Sequence, residues 1–203
     1  MKLILASASP RRADLLRAAG FNFATLATET SETRRPGEAA SEMVRRLAEV
    51  KARAAVVAAC DPPKTFSEPV IVIGADTVVE LDGEILGKPD SIEAARRMLR
   101  RLSGKTHRVL TGVALIRLPD GAARFAVETT AVHFAELTAE EIERYAATGE
   151  PLDKAGGYAV QGFAGRFVER IEGCYFNVVG LPVPRVYRLL VELGWRDDTA
   201  PPK

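Results

Sequence analysis

The chain has 203 residues, of which 47% are hydrophobic and 27% are charged, and its formal net charge at pH 7 is +1. This composition is typical of a globular protein and excludes a disordered chain, while the small net charge excludes a broad basic surface for nucleic acid. We therefore expect a small anionic partner, and we predict one domain over residues 1–195 followed by a polar tail over 196–203.

The first half of the chain alternates between strand and helix patterns. Lys2 to Ala6 predicts a buried strand, and the helix that follows ends near Gly20. An extended run from Phe21 to Leu26 precedes a polar loop and a long amphipathic helix. The apolar positions of that helix at helical spacing are Met43, Leu47, Val50, Ala54 and Val57. The β-branched run Val70 to Ile73 predicts a central strand that delivers Gly74 to Thr77 at its carboxyl end, where ligands commonly bind in α/β sheets.

Two hairpins and a loop rich in glycine and charge mark the second half. Asp82-Gly83 and Pro119-Asp120-Gly121 are turn sequences between strand-like runs. Thr138 with Glu141 predicts a capping box at a helix start, and the segment Glu150 to Gly165 has the composition of a functional loop. We predict an α/β fold with a mixed twisted sheet, flanking helices and inserted antiparallel hairpins.

The segment between the first strand and the first helix is a candidate phosphate site. Hydroxyls of Ser7 and Ser9 and the guanidinium groups of Arg11 and Arg12 meet there, beside backbone N–H groups at a helix N-terminus. The alternative is a solvated helix start, with Ser9 as N-cap and Pro10 at the first helical position.

A carboxylate and several lysines form the next candidate group. Asp76 could hold a divalent ion or accept a proton from an attacking water, or it could simply cap a turn. Lys51, Lys88 and Lys154 could bind phosphates, or they could be solvated surface residues. Lys88 is the strongest of them because Gly87 and Pro89 constrain the backbone around it.

Acidic residues of the polar loop could complete a metal site. Glu29 and Glu32 could join Asp76 around magnesium or manganese, or they could lie on a solvated loop face. His107 and His133 lack the spacing of a zinc site or a nucleophilic triad, and the chain has neither a Walker A loop nor a GxGxxG motif. Cys60 and Cys174 predict two reduced thiols, and the apolar run at the N-terminus is too short for a signal peptide or membrane span.

Taken together, these segments resemble the Maf family of nucleoside triphosphate pyrophosphatases from Leu3 to about Gly194. Any one segment is unspecific, and their order and spacing carry the resemblance. The matching segments are Ser7-Ala8-Ser9-Pro10-Arg11-Arg12, Arg46-Leu47-Ala48 with Lys51-Ala52, Gly74-Ala75-Asp76-Thr77-Val78-Val79, Gly87-Lys88-Pro89, Leu102-Ser103-Gly104 with His107, Thr111-Gly112-Val113, Gly149-Glu150-Pro151 through Gln161-Gly162, and Asn177-Val178-Val179-Gly180-Leu181-Pro182.

The resemblance implies a cytoplasmic enzyme that depends on a divalent metal cation, Mg²⁺ or Mn²⁺, and has a cleft between two lobes of an inosine-triphosphatase-like fold. It assigns the proton acceptor to Asp76, which would share the metal with Glu32. A homodimer is a further expectation from the family. The phosphate contacts that it implies are Ser7, Arg12, Lys51 and Lys88.

Three positions separate subgroups of the Maf family, and this chain has Arg11, Thr77 and Gln161 there. These residues resemble the group that acts on dTTP and UTP, while the group that acts on 7-methyl-GTP looks different. The resemblance thus predicts hydrolysis of dTTP and UTP, and of modified pyrimidine triphosphates, to the monophosphate and pyrophosphate. Two alternatives remain: a nucleotide-binding regulator of septum formation, and a house-cleaning pyrophosphatase that prefers modified purine nucleotides.

Overall fold

The computed structural model describes residues 1–60 and 68–197. The predicted Pro62-Pro63 loop and most of the predicted 196–203 tail lie outside these ranges. Within them, both cysteines are free thiols, as the sequence predicts. Every helix in the described part of the chain is too short or too polar to span a lipid bilayer.

Helices and strands alternate along the chain, and the predicted α/β class is confirmed. The strands are β1 (Lys2–Ala6), β2 (Ala24–Thr25), β3 (Val70–Leu81), β4 (Glu84–Leu86), β5 (Thr106–Leu118), β6 (Ala123–Phe134) and β7 (Val168–Glu172). The α-helices are α1 (Pro10–Ala18), α2 (Ala40–Cys60), α3 (Ile92–Leu102), α4 (Ala139–Ala146), α5 (Tyr175–Val179) and α6 (Val183–Glu192). Three 3₁₀ helices follow α4: η1 (Glu150–Asp153), η2 (Ala155–Gly157) and η3 (Phe163–Phe167).

The strands form one mixed, seven-stranded sheet in the order β2-β1-β3-β5-β6-β7, with β4 pairing with β3. β1 is parallel to both β2 and β3, whereas the remaining pairs are antiparallel. Both predicted hairpins are present: β3 and β4 join at Asp82-Gly83, and β5 and β6 join at Pro119-Asp120-Gly121. The predicted extended run Phe21 to Leu26 contains only the two residues of β2, because Phe21 and Phe23 pack against the core instead.

Two separate clusters of apolar side chains divide the molecule into lobes that share β3 and β5. The N-terminal half of β3 packs with α1 and α6, and the C-terminal half of β3 packs with α3 and α4. The first cluster includes Leu5, Leu16, Ile73, Leu115 and Leu190, all fully buried. The second includes Val79, Leu99, Val132, Tyr145 and Phe167. Because the long strands pass from one lobe to the other, the boundary between the lobes has a rigid floor.

Helix α2 lies unusually close to the sheet. A Cβ atom on Gly74 would overlap the Ala48 carbonyl oxygen, and one on Gly112 would overlap the Val44 carbonyl oxygen. The buried face of α2 accordingly consists largely of small residues. It comprises Ala40, Met43, Val44, Leu47, Ala48, Ala52 and Ala55.

The predicted apolar stripe of α2 is partly wrong. Met43 and Leu47 are buried as expected, but Val50 is 38% exposed and Val57 is 69% exposed. Alanines make the close contact because the helix backbone approaches glycines of the sheet, where larger side chains do not fit. A pattern based only on large apolar residues therefore predicts the wrong buried face for the C-terminal half of this helix.

Candidate active site

A gap along one edge of β3 creates the site. β1 pairs with β3 only as far as Gly74, and β4 begins to pair at Val79. Among the described strands, none pairs with Ala75 to Val78 on that edge. Asp76 and Thr77 lie in this gap, and because neighbouring residues of a strand face opposite ways, they approach ligand space from opposite faces of the sheet.

The sequence prediction that Asp76 follows the end of its strand is wrong. Asp76 lies inside β3, which continues to Leu81, and the strand that ends at this level is β1. The strand whose carboxyl end lies at the cavity is β1, because its last residue, Ala6, pairs with Gly74 and lines the cavity.

A cavity of about 400 Å³ opens beside this gap, between the two lobes. The nine residues that the family resemblance implies for the site line it, together with the side chains of Val79, Val109, Tyr158 and Val160. Those site residues are Ser7, Arg11, Arg12, Glu32, Lys51, Asp76, Thr77, Lys88 and Gln161. Glu29 does not line the cavity, so the structure does not bring it to Asp76; Glu32 is the acidic residue of that loop that lines the cavity, together with Thr28.

Asp76, Lys51 and Glu32 form a charged cluster at the cavity wall. The Lys51 ammonium donates to Asp76 Oδ1 at 2.6 Å and to Glu32 Oε1 at 2.5 Å. Asp76 is only 6% exposed, and burial raises the pKa of its carboxyl group although Lys51 acts in the opposite direction. Burial also opposes ionisation of Glu32, yet the hydrogen bond and charge of Lys51 outweigh it and lower the pKa of Glu32. The cluster thus contains a buried carboxylate that binds protons more readily than a solvated one.

Arg12 joins three parts of the cavity floor. Its guanidinium group donates to the Gly180 and Ala75 carbonyl oxygens at 2.9 and 2.8 Å, and to the hydroxyls of Ser7 and Thr77 at 3.1 Å each. The bond to Ala75 satisfies a carbonyl group in the gap of β3. Because four of the five guanidinium N–H groups have protein acceptors, Arg12 has one left for a ligand. Burial lowers the pKa of Arg12.

The residue that follows α5, Gly180, helps to hold the Arg12 side chain in place. The carbonyl oxygen of Gly180 accepts from both Arg12 and Thr77. Asn177, which is fully buried, donates to the Val109 carbonyl at 2.9 Å and to the Thr130 hydroxyl at 3.0 Å, and so holds α5 against β5 and β6. The sequence motif from Asn177 to Pro182 therefore positions the cavity floor.

Arg11 reaches across the cavity mouth. Its guanidinium lies 3.3 Å from a carboxylate oxygen of Asp153 in η1, and the other oxygen of Asp153 accepts from the Lys154 ammonium at 2.5 Å. Lys154, proposed from the sequence as a third phosphate contact, also donates to the Glu150 carbonyl and lines the cavity. Asp153 is a site residue that the sequence reasoning missed, because only the folded chain brings it near Arg11.

The side chains of Lys88 and Gln161 are exposed and line the cavity. Neither makes a hydrogen bond or ion pair with a residue in the ranges 1–60 and 68–197. Lys88 still affects the cavity, since its positive charge contributes to the lowered pKa of Glu32. Both side chains are therefore available to a ligand.

The loop that carries Glu32 is anchored by a partly buried ion pair between Arg46 and Glu38. Arg46 of α2 binds both carboxylate oxygens of Glu38 at 2.6 and 2.7 Å and the Thr33 carbonyl at 3.2 Å. Hydrogen bonds from Arg46 lower the pKa of Glu38 to about 2. The sequence marks Arg46 only as part of a matching segment, and no spacing rule pairs it with Glu38. Sequence reasoning could not find this anchor.

Comparison with known proteins assigns the chain to a family. Residues 2–193 match the family described as Maf-like protein. The chain belongs to the Maf family. Curated Maf relatives from Geobacillus sp. (strain WCH70) and Hahella chejuensis (strain KCTC 2396) are both named dTTP/UTP pyrophosphatase. The Geobacillus protein is 50% identical, covering 96% of this chain and 99% of its own length, and the Hahella protein is 45% identical, covering 97% and 96%.

A third Maf relative with the same name, from Symbiobacterium thermophilum (strain DSM 24528 / JCM 14929 / IAM 14863 / T), is 46% identical and covers 96% of this chain and 95% of its own length. Among solved structures, the Staphylococcus aureus Ham1 protein aligns with a TM-score of 0.49 and 15% identity, over 96% of this chain and 100% of that one.

Proposed function

We propose that this chain hydrolyses dTTP and UTP to the nucleoside monophosphate and pyrophosphate. Membership of the Maf family and the shared name of its relatives support the reaction class. The observation that carries the proposal is the meeting of Asp76, a buried carboxylate with a raised pKa, with several cationic side chains in one cavity. A triphosphate requires both: cations that offset its charge, and a base that activates water.

Asp76 is the proposed general base. Its raised pKa brings its basicity closer to the operating pH, which favours proton transfer in the transition state. Asp76 takes a proton from a water molecule, whose oxygen forms a bond to the α-phosphorus. The bond from the α-phosphorus to the bridging oxygen breaks, and pyrophosphate leaves with that oxygen and its electron pair.

The cationic residues are proposed to hold the phosphates. Lys88 is exposed to the cavity and Lys51 lies beside Asp76, so their ammonium groups would offset the charge on the leaving pyrophosphate. Arg12 contributes its charge and its remaining N–H, and it fixes the position of the Ser7 hydroxyl by donating a hydrogen bond to its oxygen at 3.1 Å. Arg11, Thr77 and Gln161, which line the same cavity, would select the base.

A divalent cation, Mg²⁺ or Mn²⁺, fits the acidic pair. One carboxylate oxygen of Asp76 and one of Glu32 accept hydrogen bonds from the same group, the Lys51 ammonium. The two carboxylates therefore lie close together. In the described residues no group of three or more His, Cys, Asp or Glu side chains could hold a metal. Two carboxylates completed by phosphate oxygens are a common magnesium arrangement. When bound, such an ion would neutralise phosphate charge and make a nearby water more acidic.

The test is pyrophosphate release from dTTP, UTP, CTP, the purine triphosphates and 7-methyl-GTP, with magnesium or manganese. We expect a preference for dTTP and UTP, and a loss of about 100-fold or more in kcat for Asp76→Asn, because the amide cannot take the proton. Full turnover by a folded Asp76→Asn variant would reject Asp76 as the base. Inactivity of the wild-type protein on every substrate would indicate a binding protein, and a purine preference would indicate the house-cleaning alternative.

The other expectations stay predictions alongside this proposal: a single domain over residues 1–195, a homodimer, no nucleic-acid partner, and action in the cytoplasm.

A further inference from the structure

A tight turn presents Gln161 to the cavity. The Gly162 N–H donates to the Ala159 carbonyl oxygen at 3.1 Å, and Gln161 lies exposed within this turn. Because the Gln161 side chain makes no hydrogen bond with any part of the chain that the structure describes, its position depends on the turn alone. Whatever fixes the turn therefore fixes Gln161.

The Glu150 carboxylate is what fixes the turn. Its Oε2 accepts the Phe163 N–H at 3.2 Å, and its Oε1 accepts the Tyr145 hydroxyl at 3.0 Å. Tyr145 is fully buried on α4, and its ring stacks on Phe163 with centroids 5.6 Å apart and planes 14° apart. The turn is thus tied through one carboxylate to the core of the second lobe.

Gly162 leaves the space that the carboxylate occupies. A Cβ atom at this position would overlap Oε1 of Glu150, although the φ of Gly162 is −104°, which any residue can adopt. The absence of a side chain at Gly162 is therefore a requirement of the Glu150 contact and not of the backbone.

We propose that Glu150 is a positioning residue for base selection: it holds the Ala159 to Phe163 turn so that Gln161 faces the cavity and can contact the base. This inference rests on the proposed function, because Gln161 is the proposed base contact. Glu150 acts through Gln161 and is not itself placed against the reacting phosphates. Loosening the turn should therefore affect selectivity more than turnover.

Substitutions of Glu150 can distinguish the effect of its two hydrogen bonds from the effect of its negative charge. Glutamine at position 150 can accept the Phe163 N–H with its oxygen and donate from its amide to the oxygen of the Tyr145 hydroxyl, so both bonds survive without the charge. Alanine removes both bonds. Alanine at position 162 leaves Glu150 charged but pushes its carboxylate away from the turn.

The experiment compares kcat/KM for dTTP with that for dGTP in Glu150→Ala, Glu150→Gln and Gly162→Ala. We expect the dTTP preference to fall about tenfold in Glu150→Ala and Gly162→Ala, and to stay within about twofold of wild type in Glu150→Gln. In a Gln161→Ala background, Glu150→Ala should cause no further loss of preference. Should Glu150→Ala fail to fold, Gly162→Ala carries the same test.

Two outcomes would overturn the proposal. An unchanged preference in folded Gly162→Ala and Glu150→Ala would show that the turn does not depend on Glu150. A loss in Glu150→Gln equal to that in Glu150→Ala would assign the effect to charge.

Calorimetric binding of dTTP and dGTP to Asp76→Asn, with and without Glu150→Ala, separates this proposal from the proposed function. Selective binding that depends on Glu150 can be measured even when no triphosphate is hydrolysed. Absence of pyrophosphate release would then reject the proposed function alone, and selective binding unaffected by Glu150→Ala would reject the positioning role alone.

Discussion

Arg12 connects three parts of the chain by hydrogen bonds, in addition to placing a positive charge at the cavity. Its four protein acceptors lie on the loop after β1, on β3 and at the end of α5, and they surround a flat guanidinium group. Lysine retains the charge but offers its three N–H groups from a single point, so it cannot satisfy the same set. The family resemblance implies that Arg12 is a phosphate contact, and these internal bonds add a structural role that no local pattern predicts.

Arg12→Lys should lower both stability and activity. We expect the free energy of unfolding to fall by about 2 kcal/mol, because buried acceptors lose their donors, and kcat/KM to fall more than about tenfold. Urea denaturation and pyrophosphate release measure the two effects. Lys88→Ala is the matched comparison: it should reduce kcat/KM and leave stability unchanged, since Lys88 is exposed. An Arg12→Lys protein as stable as wild type would contradict the structural role.

Lys51 should set the pH at which the enzyme loses activity in acid. Burial raises the pKa of Asp76 and Lys51 lowers it, so removing the ammonium group raises the pKa further. A base must be deprotonated to act, and the acidic limb of the kcat/KM profile should therefore move to higher pH in Lys51→Met. Lys51→Arg, which keeps a charge, should move it less. The position of the limb is independent of the overall loss in rate, and an unmoved limb in Lys51→Met would show that Asp76 does not set it.

At the scale of elements, close packing of α2 on the sheet places Lys51 beside Asp76. The backbone of α2 touches β3 at Gly74 and β5 at Gly112. The sequence predicts the helix itself from its periodicity, and the capping box of Thr138 and Glu141 is also present as predicted. The distance between helix and sheet could not be predicted, because it depends on glycines far apart in the chain from the helix they accommodate.

Gly112→Ala should push α2 away from the sheet. The added methyl group would overlap the backbone of Val44, so we expect a destabilisation of about 2 kcal/mol, within the range of overpacked cores. A Cβ at Gly87 would meet nothing within 4 Å, so Gly87→Ala should keep the wild-type free energy of unfolding. Urea denaturation of the two variants checks this, and equal stability would contradict the packing argument.

The placement of Asp76 inside β3 illustrates what a local pattern misses. Aspartate is disfavoured within strands, so the sequence favours ending the strand before it. The strand continues because Val78 and Val79 pack in the core and pair with β5, while the carboxylate is accommodated by Lys51 in the gap between β1 and β4. Pairing of strands distant in sequence decides the outcome, and single-residue preferences do not.

At the scale of the whole molecule, a buried histidine links stability to pH. His107 is 1% exposed, and burial lowers its pKa from 6.5 to about 4. Its Nε2 lies 2.7 Å from the Tyr158 hydroxyl, within the second lobe. Below pH 6.5 the unfolded chain binds a proton at this histidine and the folded protein does not, so acid favours unfolding.

We therefore expect the free energy of unfolding to fall as pH decreases from about 6.5 to about 4, by on the order of 3 kcal/mol from His107. Below that window the contribution stops growing, because the folded state also takes up the proton. Chemical denaturation over this pH range measures the effect, with His107→Gln as the control that cannot titrate. The same pH dependence in both proteins would assign the effect to other groups.

The rigid floor shared by the two lobes holds the proposed general base, but it does not hold all of the proposed base-selecting residues. The proposed base sits in β3, which both cores hold in place, whereas the proposed base-selecting residues come from the start of α1, the same strand and an exposed turn. Substitutions in the exposed turn can accumulate without moving the carboxylate. Gln161 can thus be exchanged to alter the proposed base contact while Asp76 keeps its position in the strand.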